Sequence, residues 1–154
     1  MLDLNVLLCG VLTASSLLTV FIVIYSFRQK ASYAKTFAFA RLASTFYSFG
    51  YGMELISHGF QTMIFWSYFQ YIGLPFIPAL WIILAIQYTG KDAVLKFPAS
   101  WLGILFIPCL TVIFRYTNQY HHFFYANEVY VGDSLFPLLY LEKGPWYVVH
   151  FLFM

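Results

Sequence analysis

The segment MLDLNVLLCGVLTASSLLTVFIVIYSF (Met1–Phe27) runs from Val6 to Phe27 without a charged side chain. That apolar stretch exceeds the roughly 7–15 residues of a signal-peptide core, and no positive region precedes it. It reads as a retained first membrane helix. Its apolar residues do not alternate with polar ones as a barrel strand requires. Lipid supplies no partner for backbone N–H and C=O groups, so an open segment of this kind must satisfy them as a helix.

The rest of the chain extends the pattern. Of 154 residues, 62% are hydrophobic and 9% charged, against roughly 45–50% and 25% in soluble domains. Too few polar side chains remain to cover a water-facing exterior. The expected class is an all-α integral membrane protein: a polytopic helix bundle forming a single region over residues 1–154. Spans are expected at 6–27, 36–57, 65–88 and 100–116, with a fifth starting at Pro145. The last run, PWYVVHFLFM, is ten residues long where a span needs about 20. It reads as the front of a helix in a longer protein.

Basic residues orient the bundle. The first connection holds Arg28, Lys30 and Lys35, and the third holds Lys91 and Lys96, whereas HGFQT (58–62) has none and the long segment 115–144 has only Arg115 and Lys143. The first and third connections are therefore expected in the cytoplasm and the N-terminus outside. This orientation makes 115–144 one long outer loop. Within it, NEVYVGDSLFPLLYLEKG places two β-prone patches around Gly132–Asp133, the pattern of a short hairpin that Pro137 weakens.

Several residues are candidates for chemistry. Glu54 and His58 stand four apart near the outer end of the second run, a spacing that puts both on one helical face. An acid in a membrane segment points to a bundle interior or a wet cavity. The alternative places Glu54 at the hydrated interface and His58 in the loop. In RYTNQYHHFFY (115–125), His121 and His122 have the chemistry for metal binding or pH sensing. Adjacent histidines point apart and no metal-ligand spacing is present, so a polar membrane rim is the preferred reading and no metal site is expected. Arg41 is read as an anchor reaching toward headgroups. Cys9 and Cys109, inside apolar runs, are read as buried thiols. Pro75 and Pro78, following Gly73, are candidate hinge points in the third helix. The phosphate-binding glycine loop, the HExxH zinc motif, the GxSxG elbow and a basic nucleic-acid patch are all absent from the sequence. No cofactor and no nucleic-acid partner is expected.

The segments FARLASTFYSFGYGMELIS (39–57), YIGLPFIPALWIILAIQYTGK (71–91) and IPCLTVIFRYTNQYHHFFY (107–125), with GPW at 144–146, together resemble the seven-helix N-terminal region of bacterial sensor histidine kinases. The resemblance covers nearly the whole chain and corresponds to the first five of those helices. It implies a multi-pass protein of the bacterial plasma membrane that senses an extracellular or intramembrane cue. The signal would pass to a cytoplasmic output domain, usually a histidine kinase, outside this chain. It also implies a homodimer through the full-length protein. No catalytic motif is present here, so no enzymatic role is assigned to the chain itself.

The expected function is thus the sensory input module of a two-component receptor, in contact with the bilayer and with a small-molecule or lipid-phase ligand. The ligand-binding candidates are Glu54, His58, Tyr116, Asn118, His121, His122 and Tyr125. Two other classes compete: a transporter or channel fragment, which would show an inverted repeat, and a non-catalytic scaffold, in which Glu54→Gln would alter stability alone.

Overall fold

The computed structural model describes residues 4–131 and 138–154. Helix α1 (Leu4–Phe27) turns through four residues into the antiparallel α2 (Ser32–Leu55). Next come α3 (Phe60–Gln70) and α4 (Phe76–Tyr88), a 3-10 turn at Asp92–Lys96, and α5 (Pro98–Tyr116). The short α6 (Asn118–His121) leads into strands β1 (Tyr125–Val131) and β2 (Leu138–Lys143), and α7 (Pro145–Phe153) follows.

The helices are inside out compared with those of a soluble protein. α1 buries Asn5, Ser16, Thr19 and Ser26 and exposes Leu17, Leu18, Phe21 and Tyr25. The buried hydroxyls are satisfied locally, as where Ser16 Oγ donates to the Leu12 carbonyl at 2.8 Å. Only an apolar surrounding makes that arrangement favourable, since in water the exposed apolar face would carry the cost. α1 and α5 are long and apolar enough to cross a bilayer by themselves.

Small residues bring α2 close to its neighbours, because membrane helices associate by packing rather than by hydrophobic burial. Ala34, Ala38, Ala40 and Ala43 are buried along it, and Gly52 lies under Leu12 and the backbone of Cys9. α2 thus stands between α1 on one side and α3–α4 on the other.

The expected third helix is broken rather than kinked. Its first half begins at Phe60, and residues 71–75 form a turn before α4. Pro75 has no N–H to continue the ladder, while Pro78 sits in the first turn of α4 where no intrahelical donor is needed. Gly73 closes the break against α2: a Cβ there would collide with the Ala43 carbonyl.

The structure also decides between the two readings of Glu54 and His58 and differs from the expectation at Cys109. α2 stops at Leu55, so Glu54 and His58 do not share a helical face, and His58 is exposed in the connection. Cys9 is buried as expected, but Cys109 is exposed on α5, and both thiols are free. The hairpin forms antiparallel from Tyr125↔Lys143 to Val131↔Leu138, with an irregularity at Ala126. The expected Gly132–Asp133 turn and Pro137 lie outside the described residues.

Candidate functional site

The charged centre of the fold is Arg115, which the sequence reading used only as one loop charge. It ends α5 with no accessible surface at all. Its Nη1 pairs with Glu128 Oε1 of β1 at 2.5 Å, and its Nη2 donates to Ser67 Oγ of α3 at 3.0 Å. Three rings surround the guanidinium: Tyr68 at 4.2 Å, Tyr125 at 5.0 Å and Tyr71 at 5.4 Å from their centroids. Desolvated cation–π contacts contribute roughly 2 kcal/mol or more. A single side chain therefore ties α5 to α3, to the α3–α4 turn and to the hairpin.

Behind the arginine, the Tyr71 and Tyr125 hydroxyls share a hydrogen bond of 2.7 Å. Burial, the largest influence, pushes the Tyr125 phenol up to about 12 despite the lowering effects of the Tyr71 hydrogen bond and of Arg115. Phe124, fully buried, packs edge to face on Tyr71 with centroids 5.2 Å apart. His150 of α7 joins the cluster 5.8 Å from Phe124 and is 2% exposed. Neither of its ring nitrogens has a hydrogen-bond partner among the described residues.

Asn118 organises the chain between α5 and the hairpin. Its Oδ1 accepts from the backbone N–H groups of Phe124 (3.0 Å) and Tyr125 (3.1 Å), and its Nδ2 donates to the Tyr125 carbonyl at 2.8 Å. All three groups are buried, where a missing partner is costly. His122 completes the turn in the left-handed region at φ 54°. Gly144 lies so close to the Phe123 carbonyl that a Cβ would not fit. Beyond it, Trp146 Nε1 donates to Thr111 Oγ1 at 3.1 Å, fastening α7 to α5.

A cleft of about 500 Å³ opens between α3, α6 and β1. Gln61 and Tyr68 form one wall, Asn118 and His122 another, and Asn127 and Glu128 the third. It mixes aromatic surface with amide, imidazole and carboxylate groups, the composition of a site for a polar small molecule. Glu128 and Tyr68 belong both to this cleft and to the shell of Arg115.

The sequence candidates divide accordingly. Asn118 and His122 line the cleft, and Tyr125 stands behind it in the arginine shell. Tyr116 packs on Tyr68 with centroids 5.3 Å apart and donates to the Tyr68 carbonyl at 3.0 Å. His121 turns the other way, bonded to Thr117 Oγ1 at 2.9 Å and packed on Phe114. Glu54 lies apart on α2, where its carboxylate accepts from Gln70 Nε2 at 2.5 Å, and His58 is exposed in the connection beyond. The sequence reading missed Arg115, Glu128, Ser67, Tyr68, Tyr71 and His150 as site residues. An arginine closing an apolar run was a usable signal, but nothing in the spacing named Glu128 as its partner.

These features define a polytopic helical membrane module with a buried charged centre roofed by a hairpin. The chain belongs to the family described as the N-terminal 7TM region of histidine kinase, whose model matches residues 11–154. No curated protein and no solved structure matches the chain. The family assignment bears out the resemblance read from the sequence, and it agrees with the length and apolar character of α1 and α5.

Proposed function

We propose that this region is the sensory input module of a bacterial two-component histidine kinase, reading its cue in the cleft beside Arg115. The observation that carries the reading is the double use of Glu128 and Tyr68, which line the cleft and also hold a fully buried cation. A polar ligand that engages Glu128 competes with Arg115 for the carboxylate. It thereby favours arrangements of α3, α5 and the hairpin that differ in how the guanidinium is held. Such differential affinity for two arrangements is the physical requirement for a signal.

The cation distribution supports an N-terminus outside the cell and an outward-facing hairpin, because Arg28, Lys30, Lys35, Lys91 and Lys96 crowd the opposite end. In that orientation α1, α2, α3–α4 and α5 are four spans, and α7 begins a fifth in the plasma membrane. The ligand enters from outside, near Asn118 and His122. Movement travels through the α3–α4 turn, with Pro75 and Pro78 at its boundary, to a kinase domain that works as a homodimer.

The test is autophosphorylation of the kinase carrying this region, measured in vesicles across a panel of candidate small-molecule cues. Glu128→Gln is expected to change basal activity and abolish the response, whereas Tyr120→Phe, at a position 80% exposed, leaves both intact. An unchanged dose response in Glu128→Gln would sink the proposal.

A further inference from the structure

The end of the bundle opposite the hairpin carries a second concavity, of about 540 Å³, between the start of α2 and the end of α4. Tyr33, Ala34 and Phe37 of α2 face Trp81, Leu84 and Tyr88 of α4 across it. Its size lies within the roughly 300–1,000 Å³ typical of small-molecule sites. Tyr33 and Tyr88 meet edge to face with centroids 6.1 Å apart. Trp81 precedes Tyr88 by two helical turns, so the groove descends about 10 Å along α4. In the orientation proposed above, on which this inference rests, the basic connections mark the headgroup level and the groove reaches from there toward the hydrocarbon.

Four cations stand beside the lining residues along the chain. Arg28 and Lys30 flank the lining residue Gln29, Lys35 follows Ala34, and Lys91 lies just beyond Tyr88. All four are exposed, and among the described residues none pairs with a carboxylate. Asp92 is the single acid in the connections 28–31 and 89–97. An apolar slot beneath an unneutralised basic rim is complementary to a molecule with an anionic head and a hydrocarbon tail.

We infer that this groove binds an anionic phospholipid of the surrounding bilayer. One acyl chain lies against Trp81 and Leu84, and the phosphate lies among Arg28, Lys30, Lys35 and Lys91. A zwitterionic lipid fills the slot equally well but offers a head whose phosphate charge is offset. A free phosphate satisfies the cations but leaves the aromatic slot empty. The bound lipid touches both α2 and α4, so it fixes their separation at the end of the bundle away from the cleft.

The kinase carrying this region, in phosphatidylcholine nanodiscs doped with a small fraction of lipid carrying brominated acyl chains, provides the test. The difference in quenching between the wild type and Trp81→Phe isolates the Trp81 signal from the other tryptophans. Brominated phosphatidylglycerol is expected to quench Trp81 several-fold more than brominated phosphatidylcholine at the same mole fraction. At roughly fivefold per charge, Lys30→Gln or Lys35→Gln should each bring that preference close to parity. Ala85→Leu, which fills the groove, should remove the quenching itself. Equal quenching by both lipids overturns the site, as does a preference that survives the lysine substitutions. Lys30 and Lys35 are exposed, so their replacement decides the case even if Ala85→Leu fails to fold.

Discussion

Arg115 and Glu128, thirteen residues apart, pair at 2.5 Å across the junction of α5 and the hairpin, with the arginine fully buried and the glutamate 17% exposed. The asymmetry of exposure matters more than the pair itself. Removing the glutamate leaves a buried arginine without its counter-charge, whereas a glutamate left alone can reach solvent.

Glu128→Ala is therefore expected to destabilise the chain by about 3–5 kcal/mol, the cost of leaving a buried charge unpaired. Arg115→Met should cost less, because the freed carboxylate can hydrate. The double variant Arg115→Met/Glu128→Met should recover much of the loss. Thermal unfolding in one detergent checks the order of the three, and equal effects of the two single variants would contradict it.

Asn118→Ala strips partners from the Phe124 and Tyr125 N–H groups and from the Tyr125 carbonyl at once. Each orphaned group costs about 1–3 kcal/mol, though local relaxation will recover part of that. Amide exchange at Phe124 and Tyr125 should accelerate far more than in the helices. Asn118→Asp retains the acceptor and should protect both amides partly.

The close approaches at Gly73 and Gly144 leave no room for a methyl group beside the Ala43 and Phe123 carbonyls. Gly73→Ala and Gly144→Ala should each lose about 1–3 kcal/mol to overpacking. Gly10→Ala, with open space around its Cβ, should instead be neutral or gain up to about 1 kcal/mol from helix propensity. A melting series over the three variants separates these outcomes.

The Tyr125 phenol, raised to about 12 mainly by burial, makes stability sensitive to strong alkali. Its value exceeds that of an unfolded tyrosine, near 10. The folded state therefore binds this proton more tightly, and the resulting stability is complete below about pH 10 and lost as pH rises toward 12. The phenolate absorbance of wild type minus Tyr125→Phe should stay flat through pH 10.5 and rise only above about 11. A rise centred near 10 would show the ring to be hydrated.

Much of the architecture was legible in the residues themselves. Charge-free runs the length of a bilayer, together with a composition too apolar for water, require helices in lipid whatever their packing. Two β-prone patches around Gly132–Asp133 announced the hairpin, and Pro75 and Pro78, after Gly73, marked a hinge where the structure has a full break. The sequence left two readings of Glu54 and His58 open, and the stop of α2 at Leu55 favours the one that puts His58 in the loop. Glu54 turns instead to Gln70, a pairing set by how α3 lies on α2.

The centre of the site belongs to tertiary structure alone. Arg115 looked like a loop charge because a sequence shows which cations stand near an interface, not which are deprived of water. Its burial depends on Ser67, Tyr68, Tyr71, Tyr125 and Glu128 meeting from three separate elements. That convergence follows from a small-residue face on α2, a broken α3–α4 passage and a turn held by Asn118. The chain's chemistry determined that it would lie in a membrane as helices. Packing decided that one guanidinium would be enclosed there, because only a folded bundle can replace water around a charge with a carboxylate, a hydroxyl and three rings.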